Sequence, residues 1–426
     1  MIKTINNFDF KGKRVLIRVD FNVPLDKKGD ILDDFRIKMT LPTINHILKQ
    51  MPKQVILMTH VGRPKGNIPE DEPNFKTDKI TAKLGKLVNM PIRKVDGWDI
   101  VTNTSSEKNN DCIIMLENLR FNPAEKSKDQ KDRDDFGKQL AGLADIYVND
   151  AFSNCHRDHA SMTSVPKFIK GGKKNACIGY LIKKEMDMIK LSIEDPQRPF
   201  ISLIGGVKAD KLNAIENLLK TADKILLGGS LAFLFLKVSG KVVGKTKIDT
   251  EGLTQETEKK IRSYLNNPKI VLPTDAVVAS NIDDNAKTAD SDKEDSNDSD
   301  NVNSDEKNSN MPNVVLVDNI PKNKMALDIG PATIKHYSII IKQAKTIIWN
   351  GPMGLFEKTA FANGTKDIAK AISETSAKSI IGGGDSAAAV TRFGYADKMT
   401  HISSGGGASL KIFEGKELVA LKVLEQ

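Results

Sequence analysis

Cysteine, aromatic residues and long apolar runs are all scarce in this chain, and each scarcity removes a class of protein. The three cysteines, Cys112, Cys155 and Cys177, form no C-x-x-C pair, which argues against a disulfide framework and a zinc ribbon and suits a reducing cytosol. Aromatic residues make up 5% of the chain and do not interleave with basic runs. The stacking platform of a nucleic-acid binder is therefore missing, despite a formal charge of +9. The longest uncharged apolar stretch, 225–236, is too short to span a bilayer, and the N-terminal residues hold no signal-like apolar segment. These absences predict a soluble, unprocessed, cytoplasmic protein that partners neither nucleic acid nor membrane.

What is present is unevenly distributed. Residues 281–310 carry ten acidic residues and three lysines, a local charge of −7, which leaves the rest of the chain at +16. That tract has almost nothing apolar to bury and predicts a disordered acidic surface insertion at about 281–312. The basic remainder suits small anionic substrates. At 426 residues the chain is long enough for two cores, and the pattern supports two.

In the first half, β-like runs at 14–22, 54–60, 112–121 and 145–152 are separated by helical periodicity at 40–51, 77–88 and 135–144. A second series, FISLIGG, KILLGG, TIIWNGP, SIIGGGD and HISSGGG, consists of apolar runs that each stop at glycine, with helix-like segments such as KLNAIENLLKTA and TIKHYSIIIKQA between them. Such alternation predicts parallel sheets with covering helices. Residues 178–195 have helical spacing and precede the Pro196 breaker, which marks them as an interdomain helix.

Ligands of open parallel sheets bind beyond the carboxyl ends of the strands, so the residues that follow each run carry the functional information. In the first half these are Asp20, Asn22, His60, Arg63, Arg120, His156 and Arg157, with Arg36 in the loop after the first run. Converging guanidinium forks with neutral donors suit phosphate and carboxylate. In the second half the run ends carry Gly205–Gly206, Gly228–Gly229, the Asn350–Pro352 turn, Gly382–Gly384 and Gly405–Gly407. Glycine lets backbone amides approach a phosphate, and Lys208, Lys211 and Asp385 add cationic contacts and a candidate magnesium carboxylate. GKVVGKT at 240–246 misses the P-loop spacing by one residue, and no G-x-G-x-x-G follows a strand with an acidic residue about 20 positions on. The pair His156 and His159 lacks the acidic partner of a metal-binding helix motif.

Seven segments in order, RVDFNVP (18–24), HVGRPKG (60–66), LENLRF (116–121), YVNDAF (147–152), WNGPMGLFE (349–357), IGGGDS (381–386) and SSGGGASL (403–410), together resemble phosphoglycerate kinases. The resemblance runs from about residue 5 to the C-terminus and implies an α/β fold. It has two Rossmann-like three-layer domains whose parallel sheets face a central cleft: an N-terminal domain over 1–177, a hinge helix over 178–195 and a C-terminal domain over 196–407. The tail, 408–426, would return to the first domain. It implies that 3-phosphoglycerate or 1,3-bisphosphoglycerate is held by Asp20, Phe21, Asn22, Arg36, His60, Arg63, Arg120 and Arg157. ATP or ADP, with Mg2+ near Asp385, is implied at Gly205, Gly206, Lys208, Lys211, Gly228, Gly229, Asn350, Pro352, Glu357, Gly382, Gly383, Gly384, Asp385 and Ser386. Arg36, Lys211 and Lys208 are the expected catalytic cations of a monomeric enzyme that closes about its hinge. GGVKADK sets Lys208 and Lys211 three positions apart where the family usually has four, so a catalytically impaired nucleotide-binding relative is the alternative.

Overall fold

The computed structural model describes residues 2–65, 69–96, 113–282 and 312–425. Cys112 and the disordered insertion expected from about 281 lie outside the described residues, apart from the insertion's first two positions and its last. The chain divides into two compact units, Met1–Asp187 with Glu417–Gln426, and Met188–Lys416.

The first unit is built on one sheet of six strands, β1 (Arg14–Val19), β2 (Gln54–Met58), β3 (Arg93–Val95), β4 (Ile113–Leu116), β5 (Ile146–Asp150) and β6 (Ala176–Ile178). The order is β3-β4-β2-β1-β5-β6, and every pairing is parallel. Continuous apolar runs form such a sheet because both faces are covered, and β1 is buried from Val15 to Val19. Helices α1 (Phe35–Leu48) and α2 (Asp78–Val88) pack Ile37, Ile44, Ile47, Ile80 and Leu84 into one core with Val15, Ile17, Val55, Leu57 and Ile113. Helix α3 (Gln130–Ala141) buries Phe136 and Leu140.

Sequence periodicity starts the first helix at 40, but α1 begins at Phe35 and carries Pro42 within it. Proline lacks the amide that would bond one turn back, and its neighbours' packing outweighs that loss. The run at 112–121 stops being strand at Leu116 and becomes a single 3-10 turn at Leu119–Phe121, capped by the Asn118 side chain.

The boundary between the units falls inside α4 (Tyr180–Glu194), the helix expected at 178–195. In the second unit β7 (Phe200–Ile204), β8 (Lys224–Leu227), β9 (Ile270–Val271), β13 (Thr346–Asn350), β14 (Lys378–Gly382) and β15 (His401–Ile402) form a second parallel sheet, ordered β15-β14-β13-β7-β8-β9. A three-stranded antiparallel sheet of β10 (Asp275–Ala279), β11 (Asn313–Leu316) and β12 (Met325–Ile329), absent from the sequence reading, packs Ala276, Val278 and Ala326 against Phe233 and Leu236. Helices α5 (Leu212–Leu218), α6 (Gly229–Val238), α7 (Gln255–Leu265), α8 (Pro331–Lys342), α9 (Asn363–Ser373) and α10 (Gly384–Arg392) complete the unit's main connections.

The tail departs from expectation. Residues 408–416 stay with the second unit because α11 (Gly406–Phe413) buries Phe413 completely and Asn217 Nδ2 donates to the Phe413 carbonyl at 3.0 Å. From Glu417 onward the chain belongs to the first unit, where α12 (Val419–Lys422) brings the Ala420 amide to the Cys155 carbonyl at 3.0 Å and Leu421 and Leu424 are buried.

Candidate active site

In the first sheet the chain grows from β1 to one side through β2 and then returns to place β5 on the other, so the carboxyl ends of β1 and β5 flank the reversal in strand order. Asp20, directly after β1, is almost wholly buried and bridges this point. Its Oδ2 accepts from the Arg36 guanidinium, in the first turn of α1, and from Ser153 Oγ in the turn after β5. Its Oδ1 has no hydrogen-bond partner among the described residues. Asn22 accepts from the Gly62 amide at 2.8 Å, and Arg120 Nη1 donates to the Gly62 carbonyl at 2.5 Å, so the loops after β1, β2 and β4 are tied at one glycine.

Asn118 reinforces this junction by accepting from the Val61 amide and donating to the Val61 and Phe75 carbonyls. Phe21 differs from its neighbours: its ring lies in the hydrophobic core and its amide donates to Thr59 Oγ1, so its side chain is not presented at the strand ends. Arg63 and Arg157 are exposed.

The electrostatics of this end are cationic. Burial, then Arg18 and Arg157, push the Arg120 guanidinium down to about 10. Burial and the nearby arginines also hold His60 well below the usual imidazole range and His159 down at about 3. Each cation disfavours the next, which is the condition an incoming polyanion relieves.

Two residues at this face escaped sequence reading. Arg18 is completely buried; its Nε donates to Ser161 Oγ at 2.9 Å, its Nη1 to the Val19 carbonyl at 2.5 Å, and its Nη2 lies 3.1 Å from His60 Nδ1. Glu125 is also fully buried and accepts from the Ser161 hydroxyl and amide at 2.7 and 2.9 Å. The signal for Arg18 was a charge inside an apolar strand. Glu125 lies in a polar stretch and has no such signal.

The second sheet reverses between β7 and β13. There the Gly205 amide donates to the Asn350 carbonyl at 2.9 Å and the Gly206 amide to the Pro352 carbonyl at 3.0 Å. Lys211 Nζ donates to the Gly205 carbonyl at 2.6 Å and to the Asn350 carbonyl at 3.4 Å, so its ammonium sits at this reversal point, whereas Lys208 is exposed. The Gly229 amide donates to the Met353 carbonyl at 2.8 Å, and Gly228 packs against Met353.

Gly351 has φ 96°, and a Cβ there would stand against the Gly205 carbonyl and Lys211 Nζ, well inside van der Waals contact. Ser386 is fully buried and its Oγ accepts from the Gly351 amide at 2.6 Å. Gly382 closes β14, Gly383 caps α10, and Gly384 and Asp385 lie in its first turn. Glu357 is exposed, and Asn350 Nδ2 is buried without a hydrogen-bond partner among the described residues. No cluster of three His, Cys, Asp or Glu suited to a metal occurs among the described residues.

These seven segments and two strand-end sites coincide with one family. A model of phosphoglycerate kinases matches residues 5–416. The chain belongs to the phosphoglycerate kinase family. The phosphoglycerate kinase of Dictyoglomus turgidum is 42% identical over 429 aligned positions, spanning 100% of this chain and 98% of that protein. That of Thermosynechococcus vestitus is 40% identical across 98% and 96% of the two chains. Among solved structures, phosphoglycerate kinase from Coxiella burnetii superimposes with a TM-score of 0.79 at 33% identity, covering 100% and 99% of the two chains. The enzyme from Pyrococcus horikoshii OT3 gives 0.80 at 28% identity, covering 100% and 98%. Membership in the phosphoglycerate kinase family makes the chain a phosphotransferase with a carboxyl group as acceptor, acting in glycolytic phosphoryl transfer.

Proposed function

We propose that the strand ends of the first unit bind 3-phosphoglycerate, or 1,3-bisphosphoglycerate in reverse, and that those of the second bind ATP or ADP. The observation that carries the first assignment is the cationic end of the first sheet, where Arg18, Arg36 and Arg120 meet around Asp20, Gly62 and His60 with Arg63 and Arg157 nearby. Arg36 and Arg120 supply charged donors to the anion, joined by His60, Arg63, Arg157 and Asn22. In the second unit, Gly205, Gly206, Gly228, Gly229 and Gly382–Gly384 present backbone to phosphates, and Pro352, Asn350, Ser386 and Glu357 flank the nucleotide.

Magnesium fits the residues present. It keeps waters and binds through one or two carboxylates together with substrate phosphates, so Asp385 in the first turn of α10 suffices where no protein cage exists among the described residues. When bound, the ion neutralises phosphate charge.

The acceptor carboxylate is ionised at neutral pH, so its oxygen attacks the γ-phosphorus without a general base, and the bond from that phosphorus to the β,γ-bridging oxygen breaks to leave ADP. The task left to the protein is to orient two anions in line and offset their repulsion, with Arg36 on the acceptor side and Lys211 and Lys208 on the donor side. Transfer in this reading brings the two sites together by bending about α4, as a monomer in the cytosol. No described helix is long and apolar enough to cross a membrane.

Turnover of the purified chain with 3-phosphoglycerate and magnesium ATP, coupled through glyceraldehyde-3-phosphate dehydrogenase to NADH oxidation, tests the reading. Substrate-dependent oxidation abolished by EDTA is expected. Nucleotide binding without turnover would instead favour the impaired relative implied by the three-residue lysine spacing.

A further inference from the structure

The buried groups beneath the first site form a directional chain. Arginine only donates, so the 3.1 Å contact of Arg18 Nη2 with His60 Nδ1 requires Nδ1 to be the acceptor. A neutral imidazole with an accepting Nδ1 carries its proton on Nε2, and no hydrogen-bond partner takes Nε2 among the described residues. Arg18 is in turn oriented. Ser161 Oγ accepts from Arg18 Nε at 2.9 Å and spends its own proton on Glu125 Oε1 at 2.7 Å, while Glu125 Oε2 accepts the Ser161 amide at 2.9 Å. Both oxygens of Glu125 are thus engaged by Ser161. Tyr147 Oη donates to the Ser161 carbonyl at 2.9 Å and pins the same residue from the neighbouring strand. Arg18, Ser161, Glu125 and Tyr147 are all fully buried, so the alternative partner, water, is excluded.

We propose that Glu125, Ser161 and Arg18 are positioning residues that hold His60 as the Nε2–H tautomer, so that His60 offers the phosphorylated carboxylate a neutral N–H donor rather than a charged or accepting ring. The inference rests on the assignment of this face to 3-phosphoglycerate. The depressed His60 and His159 are consistent with it, since the surrounding guanidiniums disfavour an imidazolium. His159 Nδ1, 3.7 Å from Glu125 Oε1, therefore supplies no counter-charge there; burial raises the Glu125 carboxyl and the charge of Arg18 opposes that rise.

The test is long-range proton–nitrogen NMR of the full chain labelled with 15N-histidine, without substrate at neutral pH, beside steady-state kinetics. Wild type should show His60 as a single neutral tautomer with unprotonated Nδ1. Ser161→Ala and Glu125→Gln should mix the tautomers and raise KM for 3-phosphoglycerate by about tenfold, the scale of one charge-assisted hydrogen bond, while KM for magnesium ATP stays within about twofold. A protonated Nδ1 in wild type overturns the relay whether or not either variant folds. Mixed tautomers with an unchanged KM for 3-phosphoglycerate would overturn the role assigned to His60 toward substrate and leave the relay standing as architecture. Single, unchanged tautomers in both variants remove Ser161 and Glu125 from the chain of control.

Discussion

At the scale of single residues, the same physics recurs: a buried charge is tolerated only where another group completes it. Asp20 is such a charge, held by Arg36 and Ser153 yet with one oxygen still unpartnered among the described residues. Arg36→Ala should lower kcat by at least about 10²-fold, the usual loss for one transition-state donor, with ADP affinity unchanged by calorimetry. Arg36→Lys, which keeps the charge and loses the planar fork, should fall between the two. A near-normal rate for Arg36→Ala would remove it from the transition state. Asp150, at the end of β5, is the contrasting case, a fully buried carboxyl held by neutral hydrogen-bond donors. Burial pushes its carboxyl up to about 7 against hydrogen bonds from Thr43 and the Ile182 and Leu181 amides. The folded state therefore binds this proton more tightly than the unfolded chain, so the stability it contributes is present in acid and is lost as pH rises through about 7. In urea unfolding, the stability of wild type relative to Asp150→Asn should fall between about pH 4 and 8, by at most about 1.4 kcal/mol per pH unit. A flat difference would show that the carboxyl is ionised in the native state.

At the scale of elements, strand ends decide where the candidate site residues gather. Each parallel sheet leaves its central strand in one direction and resumes on the other side, and the residues after the flanking strands meet there. Asp20 and Ser153 meet in the first sheet, and Gly205, Gly351 and Lys211 in the second. Alanine at Gly351 faces both a positive φ, costing about 1–3 kcal/mol, and collision with the Gly205 carbonyl. Gly351→Ala should therefore weaken ADP binding by about tenfold or more while 3-phosphoglycerate binding, titrated separately, is retained. Equal loss of both ligands would point to general unfolding instead. The strand-end residues were legible before the fold was known because motif and run end coincide in the sequence. The antiparallel sheet of β10, β11 and β12 was not, since β10 and β11 lie on either side of the acidic tract and pairing between segments so far apart in the chain leaves no local signal.

At the scale of the whole molecule, the first unit is closed by residues from the far end of the chain. Leu418, Ala420, Leu421 and Leu424 are buried and the Ala420 amide bonds to the Cys155 carbonyl, so four residues near the end of the chain join the core of the first unit. Leu424→Ala should destabilise that unit by about 2–5 kcal/mol, the range for a buried leucine truncation. Two units need not unfold together, so the effect is best read by native-state hydrogen exchange, with protection lost in β5 and β6 and kept in β7 and β13. Uniform loss across both sheets would mean that the tail's contribution is not confined to the first unit.

The sequence by itself determined the α/β class, the two series of parallel strands and the family, and it named candidate site residues at the strand ends, because apolar runs and the glycines and arginines that follow them are local in the chain. It did not determine the place where the tail leaves the second unit, because that depends on Phe413 finding its seat beside β14. Nor did it reveal the Glu125–Ser161–Arg18–His60 chain. Those four residues are spread over 143 positions from Arg18 to Ser161, and no spacing rule joins them. Only packing that expels water from around a buried guanidinium, and so compels it to find protein acceptors, brings them into one line.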